Sequence, residues 1–137
     1  MTVLVDTSVW SLAFRRSTPQ AHWAPYIYRL ATLLDDVTAA IIGPVRQELL
    51  SGIRDPAQFS RLRDRLAALS DTPINSEDYI AAAEHSNTCR RHGLQGSSID
   101  FLICAVAIRY HWPVLTTDTD FVGYAQHLPL TLDIYPA

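Results

Sequence analysis

Four carboxylates, Asp6, Glu48, Asp100 and Asp118, each lie in or just beyond a different apolar stretch of this 137-residue chain. Asp6 ends the run Val3-Leu4-Val5, and Asp118 follows Val114-Leu115-Thr116-Thr117. Asp100 interrupts the otherwise apolar segment from Ile99 to Ile108. Acids held next to core-forming segments tend to meet when the chain folds, and burying them is unfavourable unless something neutralises the charge. Two carboxylates about 4 Å apart repel by roughly 4 kcal/mol at an effective dielectric of 20. A hard divalent cation reverses the sign of that interaction, and all-oxygen ligation suits Mg²⁺ or Mn²⁺. Such a site acidifies a bound water and steadies both the attacking and the leaving oxygen of a phosphodiester. It needs no Ser, Cys or His nucleophile, and the five histidines show no metal-ligand spacing.

Singly, each acid has a plainer role. Asp6 is a natural N-cap at a strand-to-helix turn, although Thr7 and Ser8 could cap as well. Glu48 fits a solvated helix face. Asp118 and Asp120 fit a turn that opens a helix. Asp100 is the hardest to explain this way. The first turn of a helix favours an anion, but a helix apolar on nearly every side does not.

The elements that must position these residues follow from the pattern. Thr2 to Val5 reads as a short buried strand, followed by a helix from Asp6-Thr7-Ser8 to about Arg16. A helix is expected over Pro25 to Leu34 and a strand over Ala39 to Ile42. Gly43-Pro44 opens a helix that runs to Leu50, with Gly52 just past its end. Pro56 to Leu69 is amphipathic, and Arg61 and Arg65 share a face. Ser76-Glu77-Asp78 starts a helix that Arg90-Arg91-His92-Gly93 ends. Ser97-Ser98 caps the helix around Asp100. Trp112 to Thr116 is a third strand, Phe121 to His127 a short helix, and Leu130 to Ile134 a last strand. Strands alternating with helices predict a parallel sheet with helices on both faces. Ligands in such α/β folds bind at the carboxyl ends of strands, where Asp6 and Asp118 fall.

Composition sets the limits. The length fits one domain with a real core, 1–137, and apolar residues make up 48% of it. No apolar run is long enough for a membrane span, and no basic segment leads into an apolar one at the start, so a cytoplasmic protein is expected. Cys89 and Cys104 have apolar neighbours and fit reduced, packed thiols. The net charge of −3 excludes a generally basic coat for nucleic acid. All eleven cations are arginine, so every available phosphate contact is a fixed-charge guanidinium fork. Candidates to hold a polyanion around an acidic centre are Arg15, Arg16, Arg46, Arg61 and Arg65. Arg46 stands out because it neighbours Glu48. Trp10, Trp23 and Tyr26 are either base-stacking platforms or core.

Four segments carry a family resemblance. They are Val3-Leu4-Val5-Asp6-Thr7-Ser8-Val9-Trp10, then Arg46-Gln47-Glu48-Leu49-Leu50-Ser51-Gly52. Ser98-Ile99-Asp100-Phe101-Leu102-Ile103-Cys104-Ala105 and Leu115-Thr116-Thr117-Asp118-Thr119-Asp120-Phe121 complete the set. In this order and spacing the chain resembles PIN-domain proteins, most closely the VapC-type toxins of bacterial toxin–antitoxin pairs. The resemblance implies a three-layer α/β/α sandwich with a central, mainly parallel sheet, and a Mg²⁺-dependent endoribonuclease. It implies Asp6, Glu48, Asp100 and Asp118 as the catalytic and metal-holding acids, with Asp6 and Asp100 the firmest ligands. Ser8 and Thr116 would orient water or ligands, and Asp120 would be accessory. It further implies a homodimer, or a heterotetramer or hetero-octamer with a cognate antitoxin whose C-terminal segment blocks the groove.

Three other functions fit parts of the sequence. Asp118-Thr119-Asp120-Phe121-Val122 matches the D-x-D-x-[TV] pattern of haloacid-dehalogenase-like phosphohydrolases, but that pair opens its domain and here only seventeen residues follow Asp120. A signalling receiver domain also gathers aspartates at strand ends, but depends on a lysine that this chain lacks. A catalytically silent PIN scaffold for RNA or protein would have no reason to tolerate four mutually repelling acids.

Overall fold

β1 (Val3–Val5) is three apolar residues, all fully buried. A strand covered on both faces takes this continuous pattern rather than an alternating one. It forms the centre of a three-stranded parallel sheet with β2 (Ala39–Ala40) and β3 (Val114–Leu115), in the order β2-β1-β3. The register pairs Val3 with Ala39 and Leu4 with Ala40 on one side, and Leu4 with Val114 and Val5 with Leu115 on the other. The carboxyl ends of β1 and β3 are therefore neighbours, and Asp6 and Thr116 leave the sheet side by side. The computed structural model describes residues 1–15 and 20–134.

Helices surround the sheet: α1 (Thr7–Phe14), α2 (Ala24–Asp35), α3 (Gly43–Leu50), α4 (Pro56–Leu66), α5 (Ser76–Arg91), α6 (Ser98–Tyr110) and α7 (Asp120–His127). They form two packed groups: α1 touches α2 and α3, and α3 touches α4, while α5 packs on α6 and α7. A mixed α/β fold with a central parallel sheet is what the alternation of elements predicts. α6 is apolar on every side, with Phe101 to Ala107 all buried, as suits a helix enclosed by its neighbours. Its far end is pinned by Arg109, whose guanidinium donates to both oxygens of the buried Asp78 at 2.7 and 2.8 Å. Asp78 also closes a capping box with Asn75 at the start of α5.

Several expectations need revision. The first helix ends at Phe14, with Arg15 as its C-cap, and Arg16 lies outside the described residues. The amphipathic helix ends at Leu66 rather than Leu69 because Arg46 captures two carbonyls there, donating to Leu66 O at 2.9 Å and Leu69 O at 2.7 Å. Leu130 to Ile134 is not a strand. It meets the sheet at one parallel bridge, Leu132 with Val114, and Asp133 is drawn off to Arg29 at 2.7 Å. On the opposite edge Asp71 bridges to Ile41, a pairing with no signal in the sequence. Trp10 and Tyr26 belong to the core, and Trp10 donates its indole hydrogen to Val5 O at 3.1 Å. Both cysteines are free and buried.

Candidate active site

Asp6 caps α1 from an extended backbone, where the strand must turn into the helix. Its side chain is 5% exposed. Oδ2 accepts hydrogen bonds from Ser8 Oγ at 2.7 Å and Thr116 Oγ1 at 2.8 Å. Those hydroxyls are themselves held from behind, since Ser8 Oγ accepts from Thr117 N–H at 3.0 Å and Thr116 Oγ1 from Asp118 N–H at 2.9 Å. Two strand ends and a helix N-terminus are thereby tied into one lattice around a single carboxylate oxygen. Burial pushes the Asp6 carboxyl above its ordinary range; the Ser8 and Thr116 bonds pull it back, and the charge of Asp118 adds to the rise.

Asp100 comes to the same place from α6. Its N–H donates to Ser97 Oγ at 3.1 Å, the N-cap bond that starts the helix. Its Oδ2 accepts from the phenol of Tyr124 on α7 at 2.9 Å. Burial is again the main cause of a raised pKa; the Tyr124 bond opposes it, and the charges of Asp6 and Asp118 add to it. Burial first, and then the charge of Asp100, hold the Tyr124 phenol far above its ordinary range, so it serves as a donor. Tyr124 packs between the rings of Phe101 and Phe121 at 4.9 and 5.1 Å. Gly96 makes room for it, because a Cβ there would collide with the phenol oxygen. Sequence reasoning missed this tyrosine. The available signal was a phenol on the apolar side of a short helix, since a buried hydroxyl needs a partner.

Asp118 is half-buried and couples to both acids, and its Oδ1 accepts from Asp120 N–H at 2.9 Å. Asp120 is exposed in the first turn of α7. The structure thus brings together Asp6, Asp100 and Asp118, with Ser8 and Thr116 bonded to Asp6. Glu48 is exposed on α3 and is not a leading contributor to either shift. The histidines stay apart, His92 stacking on His127 at 3.9 Å.

The donor chemistry fits Mg²⁺. Among the described residues no three His, Cys, Asp or Glu side chains form a ready-made metal cage. Mg²⁺ does not require one, since it keeps several waters and is typically held by one or two carboxylates plus substrate phosphates. Asp6 Oδ2 is fixed by the Ser8 and Thr116 hydroxyls, and the Asp100 carboxylate by the Tyr124 phenol with a further bond from the Ser97 hydroxyl, so both acids keep acceptor lone pairs for a cation. Next to Asp6, the buried Thr7 hydroxyl lacks a partner among the described residues. An unmet polar group of this kind costs about 1–3 kcal/mol unless water or an ion completes it.

The arginines divide into two classes. Arg15, Arg61 and Arg65 meet, with Arg54, in a cleft of about 620 Å³ between the end of α1, the α3–α4 turn and α4. Arg46 does not join them. Besides the two carbonyls it holds, it donates to Asp71 Oδ1 at 2.9 Å, so its guanidinium is a brace between α3 and the sheet edge.

The sequence matches the PIN domain over residues 3–126. The fold is similar to FitAcB of Neisseria gonorrhoeae, with a TM-score of 0.74 at 21% identity over 96% of each chain. It is also similar to VapBC2 of Rickettsia felis, solved bound to a DNA fragment from its promoter, at TM-score 0.73 and 22% identity over 97% of this chain and 98% of that one. A toxin–antitoxin complex of Klebsiella pneumoniae gives 0.58 at 22% identity, over 89% and 92%. A search of curated proteins gives no match. With a match spanning nearly all of the described residues and the acids at the carboxyl edge of the sheet, the chain belongs to the PIN-domain family.

Proposed function

We propose that this protein is a Mg²⁺-dependent endoribonuclease, the toxin of a VapBC-type toxin–antitoxin pair, acting in the cytoplasm. The observation that carries the reading is the pairing of the buried Asp6 with the half-buried Asp100, two carboxylates from distant stretches. Each is oriented by protein hydroxyls and keeps acceptor capacity for a cation, beside Asp118. When bound, Mg²⁺ (or Mn²⁺) supplies Lewis-acid polarisation of a phosphodiester and lowers the pKa of a water. The chain's own residues do the positioning. Ser8 and Thr116 fix the plane of the Asp6 carboxylate, and Tyr124 fixes that of Asp100. Asp118 adds negative charge that favours a cation. Glu48, exposed on α3, is included in the proposal as a further carboxylate for the cation. The likeness to toxin–antitoxin complexes supports a cognate antitoxin as partner, and a homodimer or a larger assembly with that antitoxin is part of the proposal.

A second reading, a catalytically silent PIN scaffold, draws on the absence of a preassembled three-acid cage among the described residues. One experiment separates the two. Purified protein is incubated with total RNA, with Mg²⁺ or with chelator, and the new RNA ends are mapped. Discrete ends that need Mg²⁺, and that vanish in folded Asp6→Ala and Asp100→Ala variants still able to bind antitoxin, are expected. Normal cutting by either variant would end the catalytic assignment, and no cutting by the wild type would favour the scaffold.

A further inference from the structure

The arginine cleft stands apart from the acid centre and has a composition of its own. Of the ten arginines among the described residues, Arg29, Arg46, Arg63 and Arg109 are ion-paired. Four of the remaining six, Arg15, Arg54, Arg61 and Arg65, line this one cleft. The acid in its lining, Asp55, is occupied as the N-cap of α4, accepting from Gln58 N–H at 3.0 Å. Among the described residues, a chain of net charge −3 therefore gathers four unneutralised guanidinium groups in one cleft, while Arg90 and Arg91 line a smaller one on α5.

The cleft is built for this by local structure. Gly52 adopts φ +86°, a left-handed turn that suits glycine, and so lets the chain fold back to bring Arg54 beside α4. Arg65 lies over the Phe14 ring at 4.3 Å from its centroid, which fixes the guanidinium plane. Arg15 caps the C-terminus of the helix that Asp6 caps at its N-terminus. The eight residues of α1 separate the two, nine steps or about 13 Å at 1.5 Å per residue.

We infer that this cleft is a subsite for the RNA backbone, gripping phosphates a few nucleotides away from the bond to be cut. Guanidinium forks match phosphate oxygens bidentately. An acidic centre needs such a grip elsewhere, because bare carboxylates repel the strand they must act on. The inference rests on the ribonuclease reading for its substrate. Its role is to hold the strand, and no bond is made or broken there.

The test is binding of a fluorescent single-stranded RNA of about a dozen nucleotides, followed by anisotropy across a salt series. Chelator is present, so that cleavage plays no part. Arg61→Gln/Arg65→Gln is expected to weaken binding roughly tenfold and to flatten the log–log salt slope by about 0.7 for each phosphate no longer gripped. Arg63→Gln removes one charge from the same helix outside the cleft, the charge-matched control for Arg61→Gln alone, and is expected to change binding less than about twofold. Arg61→Gln alone, which keeps Arg65 over the Phe14 ring, should show a partial effect, and melting curves check that each variant is folded. Equal weakening by Arg63→Gln would mean diffuse charge and overturn the proposal. Unchanged RNA binding with weaker binding of an acidic antitoxin segment would make the cleft a protein-docking surface and overturn it too. If wild type binds as expected yet never cuts RNA with Mg²⁺, the subsite stands and the ribonuclease reading falls.

Discussion

Tyr124 donates its phenol hydrogen to Oδ2 of Asp100 at 2.9 Å, across the junction of α7 and α6. That bond restrains the Asp100 carboxylate from the α7 side. Tyr124→Phe keeps the ring in its place between Phe101 and Phe121 and removes only the donor. A stability loss of about 1 kcal/mol is expected. RNA cleavage should fall roughly ten- to hundredfold, the scale of a misplaced catalytic group. Steady-state kinetics and melting curves on the same preparation check the pair. An unchanged rate would show that Asp100 keeps its orientation without the phenol.

Gly96→Ala tests the same contact from behind. The new Cβ would lie 2.8 Å from Tyr124 Cζ, and closer still to its oxygen, so the ring must move. The variant is expected to lose about 1–3 kcal/mol as an overpacked site and to lose activity along with Tyr124→Phe. The double variant should be no worse in activity than the more severe single one.

The two central acids set the pH dependence of stability. Asp6 and Asp100 have folded pKa values raised above the ordinary 3.8, chiefly by burial. Their neutral forms are favoured in the folded state. The stability this contributes is full below 3.8 and is lost as pH rises through the raised values. The contribution of these two groups should therefore lower the melting temperature of metal-free wild type as pH rises from the bottom of that window to neutral. Asp100→Asn should flatten the curve and raise the metal-free melting temperature at neutral pH. With millimolar Mg²⁺ the wild type should gain more than the variant. Equal gains would count against a metal at Asp100.

Arg46 separates a brace from a phosphate contact. Arg46→Gln loses bonds to Asp71, Leu66 O and Leu69 O, and a cost of about 2 kcal/mol is expected, with the partly exposed Asp71 pair contributing least. Its effect should appear in chemical denaturation. The salt slope of RNA binding should stay as in the wild type.

Arg109 and Asp78 tie the far end of α6 to α5. Asp78 is 2% exposed, and Arg109→Ala would leave it without its cation. A loss of about 3 kcal/mol is expected, since breaking a buried pair strands a charge. Arg109→Ala/Asp78→Ala should recover part of that loss, as measured in a double-mutant cycle.

Much of this fold was legible because single residues carried its signals. The unbroken apolar run of β1 marked a strand buried on both faces. Asp6 and Ser97 marked helix starts through short polar side chains that accept from the backbone, whereas the start read at Ser76-Glu77-Asp78 is capped one residue earlier, by Asn75. The meeting of Asp6, Asp100 and Asp118 was legible because two of them follow apolar runs and the third interrupts one. What escaped depended on long-range partners. Arg46 looked like a ligand neighbour of Glu48, but it reaches carbonyls across the loop after α4 instead. Asp71 pairs with Ile41 without any β-rich run around it. Tyr124 is bound to Asp100 across twenty-four positions of sequence. The site residues that a sequence reader misses here are those whose role is fixed by a partner rather than by a neighbour.

Asp6 and Arg15 sit at opposite ends of one short helix, so the acids and the basic cleft belong to the same rigid rod. Adding or deleting a residue within it would swing one end about the axis by about 100° relative to the other. The number of residues in α1 is therefore a gauge, and its length should tolerate less variation than that of any surface loop in the molecule.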